Sequence, residues 1–75
     1  MNQLREAAQA IHEAETATPG LSVRMDVSRK YVHLVGRRGD FEIVRTASWD
    51  EIEQAKFNVL TCHLTEIIER LKAPA

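Results

Sequence analysis

Residues 21 to 27, LSVRMDV, alternate apolar and polar without a break: Leu21, Val23, Met25 and Val27 on one side, Ser22, Arg24 and Asp26 on the other. A period of two is that of a half-buried strand. Upstream the period changes. Residues 3 to 17 set Leu4, Ala7, Ala8, Ile11 and Ala14 at helical spacing, with Arg5, Glu6, Gln9 and Glu13 on other faces. This narrow apolar stripe predicts a surface helix, and its alanines let it lie close to whatever it covers. Thr18-Pro19-Gly20 ends it, since Pro cannot continue the ladder and Gly tolerates the turn. Downstream, residues 31–35 (YVHLV) and 41–46 (FEIVRT) are β-branched and aromatic runs that predict two more strands.

Residues 48–72 read as one long helix. Ser48 with Glu51 three positions on forms a capping box. Asp50, Glu51 and Glu53 suit the positive end of the helix dipole, Arg70 and Lys72 the negative end, and Pro74 stops it. At 1.5 Å per residue such a helix is about 37 Å long. Strands of six or seven residues span only about 20 Å. The helix is therefore expected to overhang the sheet. The whole chain, residues 1–75, then forms a single small domain of class α+β: a two-layer αβββα sandwich with a three-stranded antiparallel sheet and two helices.

The stretch VGRRGDF joins the last two strands. Arg37, Arg38 and Gly39 fit a three-residue loop, with Gly39 in the left-handed position of a bulge. That pairing puts Tyr31, His33, Val35, Phe41 and Ile43 on one face and Val32, Leu34 and Val44 on the other. The first strand joins one set or the other according to the length of the SRK turn. An odd loop, the preferred expectation because it gathers the larger side chains, adds Val23, Met25 and Val27 to Phe41 and Ile43. Val32, Leu34 and Val44 are then left as an apolar cluster for a partner. Arg38-Gly39-Asp40 is an adhesion tripeptide, but backbone geometry accounts for it as a corner.

On the long helix, Trp49, Ile52, Phe57, Val59, Leu60, Leu64, Ile67, Ile68 and Leu71 cover roughly half the circumference, wider than one sheet requires. Within this arc Phe57, Leu60, Leu64, Ile67 and Leu71 step 3, 4, 3, 4 as a coiled-coil seam. With the overhang, this predicts a symmetric homodimer built on the C-terminal helix, Ile68 beside the seam. Trp49, Ile52 and Val59 are assigned to the core.

Composition narrows the function classes. The 75 residues carry 10 basic and 11 acidic side chains and are 44% hydrophobic, which suits an ordinary soluble globule and not a disordered chain. So small a domain buries only about 60% of its unfolded surface, and an oligomer would help it. One cysteine, Cys62, permits no intrachain disulfide. No leader pattern opens the chain and no apolar run is long enough to span a bilayer, so a cytoplasmic location and no membrane partner are expected. Cys62 and His63 are neighbours about 100° apart on a helix, a poor geometry for one metal or a thiolate pair. His12 and His33 are remote in sequence. With no phosphate loop, nucleophile set or paired carboxylates, neither an enzyme nor a cofactor is expected.

The αβββα order resembles that of double-stranded RNA-binding domains over nearly the whole chain, in topology and not in motif. The resemblance implies phosphate binding, for which those domains use a lysine-rich start to the second helix. Here that start is Ser48-Trp49-Asp50-Glu51-Ile52-Glu53, with Lys56 alone, and its acidic groups would repel a nucleic-acid backbone. The expected function is a small non-enzymatic protein–protein interaction module: an adaptor, regulator or inhibitor whose partner the sequence does not identify. The alternative is a nucleic-acid-binding module using Arg29, Lys30, Arg37 and Arg38 in the two hairpin turns.

Overall fold

A computed structural model describes residues 3–72 and has the expected α+β arrangement. The elements are α1 (Gln3–Ala17), β1 (Leu21–Val27), β2 (Tyr31–Arg38), β3 (Phe41–Ser48), α2 (Trp49–Gln54) and α3 (Val59–Lys72). The strands form an antiparallel sheet in the order β1-β2-β3. Among the described residues no helix is long and apolar enough to cross a membrane.

The hairpin between β2 and β3 differs from the expected one. Arg38 pairs with Phe41, so the turn is only Gly39-Asp40. Gly39 has φ +61° while Asp40 keeps a negative φ. Positive φ at the first central residue alone is what a type II′ turn requires, and its twist suits the flanking strands better than the three-residue loop expected from GRRGD. Val35 consequently faces Val44 and not Phe41. That shift is of an odd number of positions, so it reverses the faces of β2 relative to β3.

The first turn is also even. Val27 pairs with Val32, and Ser28 closes a tight turn by donating from N and Oγ to Tyr31 O, at 2.9 and 2.8 Å. The preferred odd loop is therefore overturned. Leu21, Val23 and Met25 share the inner face with Val32, Leu34, Gly36, Ile43 and Ala47. Val32, Leu34 and Ala47 are fully buried. Both long helices lie on this one face, α1 over β1 and α3 over β2 and β3.

The expected single helix is two. α2 ends in an extended residue, Ala55 (φ −72°, ψ 144°). Asn58 begins the next helix: its Oδ1 accepts from Thr61 N at 3.1 Å, satisfying an amide that the first turn leaves without a carbonyl. Gln3 braces both sides of the break, donating from Nε2 to Ile52 O (2.9 Å) and accepting from Val59 N (3.2 Å) at Oε1. Asn58 Nδ2 also donates to Glu6 Oε1 at 3.0 Å. After the corner α3 runs only about 21 Å, within the length of an eight-residue strand, so the described residues do not form the helix of about 37 Å whose overhang is expected.

Leu60, Leu64, Ile67 and Leu71, the expected dimer seam, are instead the helix's contribution to the core, with Leu60, Leu64 and Ile67 fully buried. Their contact with the sheet depends on Gly36. A Cβ there would collide with Ile67 Cγ2 and stand 2.9 Å from Leu71 Cδ1. Gly36→Ala should therefore cost about 1–3 kcal/mol by overpacking. Urea denaturation followed by circular dichroism should show a lower midpoint with the same slope. Leu64→Ala should cost about 2–5 kcal/mol, with the same loss at every protein concentration; a loss confined to concentrated samples would return Leu64 to an interface.

Candidate interaction surface

The two turns that send Val32 and Leu34 inward send their alternates outward. The face of the sheet away from the helices carries Tyr31, His33, Val35 and Arg37 on β2, flanked by Ser22, Arg24 and Asp26 on β1 and by Glu42, Val44 and Thr46 on β3. Paired positions form rows across the strands: Arg24–Val35–Val44 is one, Asp26–His33–Thr46 the next. Val44 is 48% exposed, and Val35 is half-buried beside it. The Tyr31 and His33 rings meet edge to face with centroids 4.4 Å apart. His33 Nδ1 and Thr46 Oγ1 are 2.8 Å apart, which fixes the imidazole against β3. Arg24 and Asp26 form an exposed ion pair at 3.2 Å along the rim. The result is an apolar centre of β-branched and aromatic groups with a mixed-charge border.

One end of this face is held by Trp49. Its Nε1 donates to Ser28 O at 2.7 Å and its backbone N to Lys30 O at 3.2 Å, so the start of α2 clips the β1–β2 turn in place. The residue expected as plain core is thus half core and half clamp. An indole N–H cannot be buried without a partner, which is the signal that points to such a role.

The residues expected at an interface part company. Leu60, Leu64, Ile67, Leu71, Val32 and Leu34 are internal, and Ile68 is partly buried against the core. Of that set, Val44 and Phe57 are exposed, and they lie on different elements. Phe57 stands at the α2–α3 corner, 62% exposed, beside an open depression of about 450 Å³ lined by Glu51, Gln54, Val59, Cys62 and His63. Cys62 is an exposed free thiol. Among the described residues no group of three or more His, Cys, Asp or Glu side chains is arranged to hold a metal ion.

The four basic residues do not converge either. Arg29 and Lys30 are exposed in the β1–β2 turn, and Arg37 lies on the outer face at the far end of β2. Those ends are about 23 Å apart along the strand. Arg38 points to the opposite face, where its Nη1 donates to Leu71 O at 2.9 Å. A cation there suits the negative end of α3. The Arg-Gly-Asp corner therefore spends its arginine on a helix terminus.

Comparison with protein-family models, with curated proteins and with solved structures finds no match to this chain.

Charge on the helix layer is organised around Glu66. Its carboxylate accepts from Arg45 Nη2 at 2.8 Å and lies 3.7 Å from Arg70 Nη2. The Arg45 hydrogen bond and charge, with smaller help from Arg70 and His63, hold the Glu66 pKa below its ordinary 4.5. A depressed folded-state pKa means that this pairing supports the fold above the unfolded value and is lost as pH falls through the folded one. Arg45→Gln should move the Glu66 carboxyl titration, followed by side-chain NMR, up toward 4.5. An unchanged midpoint would show that Arg45 does not govern it. Because the pair is exposed, the shift should shrink in high salt.

Proposed function

We propose that the chain is a small non-enzymatic protein-interaction module that docks a protein partner on the open face of its sheet. The observation that carries this reading is the helix-free apolar centre of Tyr31, His33, Val35 and Val44. The domain keeps these groups outside while a complete core is built from the alternate positions. A face of this make-up, apolar and aromatic at its centre with charge at its rim, has the anatomy of a protein interface. Glu51, Cys62 and His63 meet only at the open depression of the corner, and most other carboxylates lie on helix faces and caps, an arrangement that supports binding over catalysis. A cytoplasmic setting accords with the exposed, unpaired Cys62, which a reducing compartment keeps as a thiol.

Nucleic-acid binding, the alternative, has less behind it. Arg38 is engaged at α3, and Arg37 is separated from Arg29 and Lys30 by the length of a strand.

The tagged chain used as bait in its native host extract tests the reading, with Val35→Lys and Tyr31→Ala as companions. Both positions face outward, so both variants should keep the wild-type circular dichroism. A protein retained by the wild type should be reduced at least tenfold on Val35→Lys. Equal capture by all three would overturn the proposal. So would recovery of nucleic acid alone, lost steeply with salt and on Arg29→Ser with Lys30→Ser.

A further inference from the structure

The corner between α2 and α3 is held by side chains where a helix would use its own backbone. Residues 49–72 contain no Pro or Gly, and the corner itself is Ala55-Lys56-Phe57-Asn58. Wound as one helix, they would bond Lys56 N to Ile52 O, Val59 N to Ala55 O and Thr61 N to Phe57 O, each four residues back. In the bent chain Ile52 O accepts from Gln3 Nε2 at 2.9 Å, and Val59 N donates to Gln3 Oε1 at 3.2 Å. Thr61 N donates to Asn58 Oδ1 at 3.1 Å. One amide side chain on α1 therefore stands in for helical partners on both sides of the break. Ala55 is where the chain leaves the helix, at φ −72° and ψ 144°.

The bend keeps α3 on its own sheet. Opening it would carry off Leu60, Leu64, Ile67 and Leu71, all buried at present. Wetting four large aliphatic side chains outweighs the few helical bonds gained, so the straight form requires another surface for the stripe. The surface that fits is the sheet of a second copy, because Ile67 and Leu71 seat on Gly36, where a Cβ would collide with them.

We infer that the α2–α3 corner is a hinge that Gln3 holds closed, and that its release lets two copies of the chain exchange α3. In the exchanged pair residues 49–72 form one helix of about 36 Å. Its C-terminal half lies on the partner's sheet with the contacts that α3 makes at home. Each sheet still receives one α3, so the core is kept and the helical bonds of the corner are gained. The two hinges then run side by side, and Phe57, 62% exposed at the corner, gains a neighbour. A reciprocal exchange closes, and short hinge segments are where such exchanges arise. In both forms the α3 stripe faces a sheet and not the stripe of another helix. The inference does not rest on the docking face, which stays open throughout.

Two substitutions push the hinge in opposite directions. Gln3→Ala removes the amide that satisfies the bent corner. Lys56→Pro removes an amide that the continuous helix needs, and Ala55 already holds the extended backbone favoured before proline. Samples are cooled slowly from the thermal midpoint at millimolar concentration and read by sedimentation equilibrium. Gln3→Ala should yield a species of twice 8.5 kDa, with a stronger helical circular dichroism signal. Without the two hydrogen bonds from Gln3, that species should be about tenfold more abundant than in the wild type. Adding Lys56→Pro should return the chain to a monomer. A Gln3→Ala chain that folds and stays monomeric overturns the inference, as does a dimer that persists with Lys56→Pro. Should either variant not fold, linkage in an otherwise wild-type chain decides. The Arg45 and Glu66 side chains meet at 2.8 Å across sheet and helix. Arg45→Cys with Glu66→Cys, in a Cys62→Ser background, should be bridged between chains by a short bismaleimide in the dimer fraction and within one chain in the monomer. Bridges within one chain only, or no dimer fraction at all, overturn the exchange. Val35→Lys should leave the dimer yield unchanged; a yield that falls with it would put the contact on the outer face and overturn the exchange. Failure of the docking reading is seen separately, in the capture experiment.

Discussion

The register of the β2–β3 hairpin governs the rest of this molecule, and Gly39 sets the register. With positive φ confined to the first of two central residues, the turn closes on Arg38 and Phe41, and the faces of every later residue on β3 follow. Had the loop been one residue longer, β3 would meet β2 out of phase, and Val44 would contend with Ile43 for the core. The same register puts Gly36 beneath α3. Lacking a Cβ, that position lets Ile67 and Leu71 approach the sheet backbone, so the layer spacing and the choice of face are fixed within four residues of each other.

The sequence showed the elements more clearly than their relations. The alternation of Leu21 to Val27 and the stripe of the first helix produced the observed bounds, because each periodicity reflects burial against a single layer. β2 and β3 were equally visible as strands, but both of their faces are apolar. A period-two pattern with no polar side cannot say which side is buried, and the decision falls to turn conformation. GRRGD is compatible with two loop types that differ in register. The long C-terminal run failed for a related reason. No Pro or Gly interrupts it, so nothing in propensity forbids one helix. The break comes from the tertiary fit to a short sheet, made possible by Asn58 as a cap and Gln3 as a bridge from 49 and 56 positions away. The seam read as an interface is the core stripe of the shorter helix. The outer cluster was legible as surplus apolar surface, although Val32 and Leu34 were given to it in place of Tyr31, His33 and Val35.

A domain this small has little core to spare, and several of its polar contacts bind element to element. Gln3 ties the start of the chain to both sides of the α2–α3 corner, Trp49 ties α2 to the first turn, and Arg38 ties the second turn to the end of α3. Each satisfies a backbone group that a turn or helix end would otherwise leave to water. Spread over both ends of the sheet, they hold the outer face in shape without covering it. A binding face on a rigid support loses less entropy on docking than one on loops.

The two sheet edges fit the same logic, each touched at its middle by a charged side chain. Antiparallel sheets covered on one side expose backbone at both margins, and a chain with only two long helices has limited means to cover them. α1 packs over β1 and reaches its margin with Glu15. α3 sits over β2 and β3, and its charged flank is committed to the Glu66–Arg45 pair on the helix side. That pair holds Arg45 over the inner layer, and the same guanidinium reaches the β3 margin, donating from Nη1 to Val44 O at 3.0 Å.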